Sequence, residues 1–276
     1  MFTKVIIISV RKVNNMQIDY GEILFVGQCN FKCFYCLGHE MHESTKYNTL
    51  NTHFQNWPNF NKWLDDLHNN NVKKIYLSST NSEPLLYEYL SELIDYLQDM
   101  RFDVGIRTNG SLDTSVCSKC KEEVSLSLQS LNPDTFQKIT NVPLSFDFLK
   151  NLSKIKSDNI RVSIVINRYN YKEIFDILDQ LKDYDLRYVQ LRQCYKYYET
   201  DIQPDIDAFN YVLNKLKTFP IKGNFNESII YDVYGLSVSV WETVFKKESI
   251  SSSNYWTNGV ITNNNLLVEG YEDERK

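Results

Sequence analysis

No stretch of this sequence approaches the ~18 consecutive apolar residues that a membrane-spanning helix requires, so no transmembrane segment is expected. The early Val5-Ile6-Ile7-Ile8 run is short and no small-residue cleavage site follows it, which argues against a secretory leader and for a strand. Basic residues are not in excess: 30 Lys and Arg stand against 35 Asp and Glu, a net charge of −5. A chain that grips a long nucleic acid normally carries a basic face, so DNA or bulk RNA is disfavoured as a partner. Cysteine is sparse, with six in 276 residues and three of those close together. That is not a disulfide framework, and it fits a reducing cytoplasm. No internal repeat or low-complexity linker divides the chain.

The remainder describes a globular protein. Hydrophobic residues make up 42% and aromatics 14%, enough for a full core. Strand-like runs at 22–26, 74–78, 103–107, 124–128, 160–166 and 187–191 alternate with helical patterns at 59–70, 85–100, 114–122, 134–156, 171–184 and 205–218. Strand and helix repeating in this order predict parallel strands with helices outside. Six such units make an α/β fold of partial (β/α)6 TIM-like barrel type, too few for the closed eight-fold form. The expected organisation is an N-terminal strand extension over 1–20, a barrel core over 21–219, and a C-terminal appendage over 220–276 that packs on the barrel. In that appendage 228–233, 236–241 and 254–270 look extended, and Thr257-Asn258-Gly259 is a turn signal.

The chain leaves its first repeating strand directly into Cys29-Asn30-Phe31-Lys32-Cys33-Phe34-Tyr35-Cys36. Three thiolates on one short loop are soft ligands that can converge on a metal centre. A zinc site completed by His39 or His42 is one alternative, although structural zinc usually takes its ligands as two separated pairs. Unmetallated buried thiols are another. A second pair, Cys117 and Cys120, has half-site spacing and lacks a matching pair; with Cys194 it leaves a smaller second metal site open.

The C-x3-C-x2-C spacing, with an aromatic before the last cysteine, resembles the radical S-adenosylmethionine (SAM) superfamily. The resemblance spans about 22–194 and implies the same six-unit partial barrel. It implies a 4Fe-4S cluster on Cys29, Cys33 and Cys36, with SAM on the fourth iron and Tyr35 beside the adenine. It further implies reductive cleavage of SAM to a 5'-deoxyadenosyl radical that abstracts hydrogen from an organic substrate. The partners implied are a small-molecule or peptide substrate and a reductant protein of flavodoxin or ferredoxin type. Thr80-Asn81-Ser82-Glu83-Pro84 aligns with the family's Gly-Gly-Glu-Pro segment, which holds the SAM ammonium group; Glu83 and Pro84 match, while Asn81 and Ser82 replace both glycines. Read without the family, Glu83 caps a proline-started helix. Asn109, in Thr108-Asn109-Gly110, is read first as a turn residue and then as a site residue. Ser127 and Gln129, which share a strand face with Ser125, fall where the family meets the ribose. Arg192 suits the SAM carboxylate, because guanidinium and carboxylate pair in bidentate fashion. No cysteine follows Cys194, which argues against a cysteine-rich auxiliary-cluster domain. The alternative from another class is a non-catalytic barrel that binds metal or a partner and has lost SAM through its altered Asn81-Ser82 segment.

Overall fold

The structure, a computed structural model, describes residues 18–36, 38, 47–79, 82–194, 201–225, 228–241 and 252–262. The Val5-Ile6-Ile7-Ile8 run expected as a strand and the residues Asn81, His39 and His42 lie outside them.

Six strands alternate with helices along the chain: β1 (Tyr20–Phe25), β2 (Lys74–Ser79), β3 (Asp103–Thr108), β4 (Val124–Ser127), β5 (Ile160–Ile166) and β6 (Tyr188–Gln193). Between them run α1 (Phe60–Asn69), α2 (Leu90–Asp99), α3 (Pro133–Thr140), α4 (Phe148–Leu152) and α5 (Ile174–Leu181), and α6 (Gln203–Leu216) follows β6. All six strands pair in parallel and in chain order. The helix expected over 114–122 is a short 3-10 turn, Ser115–Lys119. That segment has too few residues to close an α-helical face between neighbouring strands.

Local chemistry sets the helix ends. Asn132 accepts hydrogen bonds from the N–H groups of Asp134 (2.9 Å) and Thr135 (3.1 Å), and Pro133 takes the first helical position, where a missing N–H costs nothing. Asn141, at φ 55°, ends the same helix in the left-handed region that Asn tolerates. In α1 the residues Phe60, Trp63, Leu64 and Leu67 recur at helical spacing and are all buried. Each contributes roughly 1.5–3 kcal/mol by leaving water.

The residues after 219 behave differently from an appendage packed on a finished barrel. They extend the same sheet at both edges. Antiparallel β7 (Ile221–Phe225) and β8 (Ser228–Val233) lead into β9 (Leu236–Trp241), which lies parallel to β6. At the far edge β10 (Ser252–Trp256) lies parallel to β1, and β11 (Ile261–Thr262) folds back on it. The sheet order is β11-β10-β1-β2-β3-β4-β5-β6-β9-β8-β7, an open sheet with eight parallel strands at its centre. The turn read at Thr257-Asn258-Gly259 joins β10 to β11, with Gly259 at φ 94°.

Side chains alternate across this sheet. Ile23, Phe25, Ile75, Leu77, Val104, Ile106, Val162, Ile164, Val189, Leu191 and Tyr255 belong to the large apolar core shared with the helices. The opposite, inner face carries the intervening residues, most of them polar. Among the described residues no helix is long and apolar enough to cross a membrane.

Candidate active site

β1 delivers the chain to the cysteine loop at its carboxyl end, where parallel β/α folds place their chemistry. The loop is fastened to the end of α3: Lys32 N–H donates to the Thr140 carbonyl (2.8 Å) and Phe34 N–H to that of Ile139 (3.0 Å). Phe31 is buried between the rings of Phe136 and Phe146. Cys36 N–H donates to the Cys33 carbonyl (2.9 Å), closing a turn that keeps both thiols on one loop. Burial pushes the Cys29 thiol up to about 12, with Glu83 and Cys36 adding to the effect. Cys33 is raised in the same way, by burial and then by Cys36 and Cys29. Thiolates form here when a cation shares the loop, because metal ligation requires deprotonated sulfur.

Among the described residues no three Cys, His, Asp or Glu side chains gather around a single ion, and His39 and His42, which would complete a zinc site, lie outside them. Cys29 Sγ also accepts from Phe31 N–H (3.4 Å) and lies 3.8 Å from Asn109 Nδ2, donors that favour anionic sulfur.

Asn109 links this loop to its neighbours. Its Nδ2 donates to Asn30 Oδ1 (2.9 Å), its Oδ1 accepts from Ser111 N–H (3.0 Å), and Asn30 Nδ2 donates to Ser111 Oγ (2.7 Å). Its backbone N–H donates to Glu83 Oε2 (2.8 Å). The other Glu83 oxygen accepts from Leu85 N–H (3.0 Å) and from the Thr108 hydroxyl. Glu83 is 2% exposed, and burial raises its carboxyl to about 7 against the pull of those bonds. Its carboxylate is therefore occupied by the protein: it caps the Pro84–Leu86 turn and clamps the β3 loop. Beside it Ser82 is 9% exposed, and its Oγ is buried with no hydrogen-bond partner among the described residues.

The inner faces of β4, β5 and β6 form the opposite wall. Arg161 pairs with Glu123 (3.0 Å) and reaches Ser125 Oγ (3.1 Å) and Gln190 Oε1 (3.1 Å). Arg107 pairs with Glu22 and lies over the Tyr76 ring. Two arginines thus have acids of their own. Arg192 has neither an acid nor a hydrogen-bond partner among the described residues; burial lowers its pKa to about 10, assisted by Arg161 and Arg107. Ser127 is partly exposed on the same face, opposite Ser163. Gln129, 5% exposed, hydrogen-bonds Tyr35, whose hydroxyl is raised by burial and then by Cys33 and Cys194. Sequence reasoning missed the roles of Arg107, Arg161, Glu22, Glu123 and Asn30. Alternation placed Arg107 and Arg161 on this face, but their acids come from other strands and loops.

The remaining cysteines separate. Cys117 and Cys120 are buried in the apolar core on the helix side, whereas Cys194 ends β6 near Tyr35. A cavity of about 380 Å³, lined by Arg168, Tyr171, Pro204, Asp207, Ala208 and Tyr211, lies where the loop after β5 meets α6, apart from the cysteine loop.

The model of the Radical SAM superfamily matches residues 23–181, more than half of the chain. This chain belongs to the radical SAM superfamily. The family implies a 4Fe-4S cluster and SAM as cofactors. The three thiols, the orphaned Ser82 hydroxyl and the unpaired Arg192 are a donor set that fits them. Curated relatives include a probable GTP 3',8-cyclase of Methanocaldococcus jannaschii, 27% identical over 66% of this chain and 63% of its own length. The GTP 3',8-cyclase of Helicobacter pylori (strain ATCC 700392 / 26695) is 30% identical over 64% of this chain and 56% of its own length. This radical SAM chain therefore spans less than two thirds of those relatives. Among solved structures, Streptococcus suis SuiB bound to the precursor peptide SuiA superposes with a TM-score of 0.61 at 15% identity, covering 94% of this chain and 64% of that one. SuiB bound to S-adenosylmethionine gives 0.58 at 14% identity, over 93% of this chain and 63% of that one. At such identities the likeness is one of fold.

Proposed function

We propose that this chain is an enzyme that reductively cleaves SAM and uses the product to take hydrogen from an organic substrate, a small metabolite or a peptide, at the mouth of the open barrel. One observation carries the reading. Segments from the ends of β1, β2 and β3, far apart in sequence, are tied together through Cys29, Asn30, Asn109 and Glu83. A loop serving only to turn the chain has no need of three half-buried thiols, one of them linked through Asn109 to a buried carboxylate.

When bound on Cys29, Cys33 and Cys36, the cluster supplies the electron that splits SAM into methionine and a 5'-deoxyadenosyl radical. The protein's part is to hold and to shield. Ser82 Oγ, with Asn81 beside it in sequence, offers the SAM ammonium group an acceptor with no competing partner. Arg192 meets the carboxylate, Ser127 and Gln129 face the ribose hydroxyls, and Tyr35 lies beside the adenine. Asn109 and Glu83 act one step back, by fixing the loops that carry these contacts. A flavodoxin- or ferredoxin-type protein provides the electron. The Ser82 hydroxyl, an acceptor brought in where the family has glycine, favours SAM binding over a barrel that has lost it. The GTP of the cyclases is not carried over, since so much of their length has no counterpart here.

Anaerobic reconstitution with iron and sulfide, followed by dithionite and SAM, should yield 5'-deoxyadenosine. Cys33→Ala should lose both iron and product. A wild-type protein that holds iron, releases no 5'-deoxyadenosine and does not bind SAM is the non-catalytic alternative.

A further inference from the structure

The inner face has two chemically distinct sides. Its arginines, Arg107, Arg161 and Arg192, all belong to β3, β5 and β6. The side built by β10, β1 and β2 presents Glu22, Leu24, Val26, Tyr76, Ser78, Asn254 and Trp256, and its one cation among the described residues, Lys74 at the start of β2, is paired with Glu122 (2.8 Å). Leu24, Val26 and Trp256 form an apolar cluster separate from the main core, because alternation sends Ile23, Phe25 and Tyr255 to the helices.

Trp256 stands apart from the other tryptophans. The indole N–H of Trp57 donates to the Thr52 carbonyl (3.1 Å), that of Trp63 to Ser253 Oγ (2.9 Å), and that of Trp241 to Ser239 Oγ (3.4 Å). Trp256 is 6% exposed, and its Nε1 is buried without an acceptor among the described residues. A buried indole N–H normally finds a partner, and one left without is destabilising. Its position is fixed and close to the chemistry. Thr257 N–H donates to the Leu24 carbonyl (3.1 Å) and Val26 N–H to Thr257 Oγ1 (2.9 Å), so Trp256 sits against the strand that runs into Cys29.

We infer that Trp256 is a substrate-binding residue whose indole N–H donates to a neutral, amide-type carbonyl oxygen on a substrate whose apolar carbon packs against Leu24 and Val26. The inference deepens the enzyme reading and rests on it. A neutral acceptor suits this side because among its described residues the cation, Lys74, is paired with Glu122 and the acid, Glu22, with Arg107. A triphosphate or a free carboxylate seated here would be buried without counter-charge. A peptide bond beside an aliphatic side chain satisfies both the donor and the apolar wall.

The test is equilibrium dialysis of radiolabelled N-acetyl-L-leucinamide against the full chain, cluster-loaded and saturated with SAM. Saturable binding is expected, weakened about tenfold in Trp256→Phe, which keeps the ring and removes the donor. Val26→Ala, which thins the apolar wall, should also weaken it, and carries the comparison should Trp256→Phe not hold iron. Iron content and SAM affinity should match wild type in both variants. Equal affinity in wild type and variants, absence of saturable binding, or displacement of the probe by GTP with Trp256-dependent affinity would overturn the inference. Failure of the wild type to bind SAM would instead remove the enzyme reading beneath it.

Discussion

Arg192 carries the sharpest consequence at the scale of single residues. A half-buried guanidinium without an acid among the described residues is a cost to the empty protein and an asset once an anion arrives. Arg192→Leu is therefore expected to raise the melting temperature of the SAM-free protein while weakening SAM binding roughly tenfold or more. Calorimetry and equilibrium dialysis read the two effects, and a variant that loses stability and keeps its affinity would contradict the assignment. Glu83 gives a pH signature. Its carboxyl is raised to about 7, chiefly by burial, so the folded state favours the protonated form. Its contribution is complete below the unfolded value near 4.5 and is lost as pH rises through about 7. In urea titrations of the cluster-free chain, wild-type stability relative to Glu83→Gln should fall across that window by an amount on the order of 2–3 kcal/mol. A flat difference would show that the hydrogen bonds from Thr108, Asn109 and Leu85 fully offset burial.

Among the elements, β3 is the least tolerant of change. A Cβ at Gly105 would stand 2.6 Å from the Tyr76 ring and 2.8 Å from the Glu123 carbonyl, and the carbonyl is backbone that cannot swing aside. Gly105→Ala should destabilise by roughly 1–3 kcal/mol, visible as a lowered melting temperature. The same crowding seats Arg107 over Tyr76 at 4.8 Å, beside its Glu22 partner. Much at this scale was legible in the sequence. Alternation placed all six repeating strands, and 228–233 and 236–241 form strands with those bounds. The same period of two put Ser127 and Gln129 on one face with Ser125. It could not say that Arg192 lacks an acid while Arg161 has one, because Glu123 precedes a different strand. Trp256 was hidden for a related reason: Ser252–Trp256 is buried along its whole length, so no polar alternation marks which side is inward.

For the whole molecule, the telling fact is which edges the late strands occupy. Nothing local in 228–241 or 252–262 specifies that one segment joins β6 and the other β1; that choice follows from the edges left open by the six central strands. Tyr255 then fills a space among Trp57, Phe60 and Trp63, and its hydroxyl donates to the Pro58 carbonyl (2.7 Å). A chain cut after Trp241 would bare the β1 edge and that aromatic cluster together. It should be recovered aggregated rather than as a smaller folded barrel, and size-exclusion chromatography distinguishes the two.

The bond from Val26 to Thr257 spans 231 residues, and the flank it seals belongs to the strand that feeds the cysteine loop. During synthesis on the ribosome that strand is complete long before its outer neighbour has been made. For that interval the nascent cysteine loop hangs from a half-covered support. Such long-range closure is a slow step of folding, so the strand beneath the cysteines gains its outer neighbour only after Thr257 has been made.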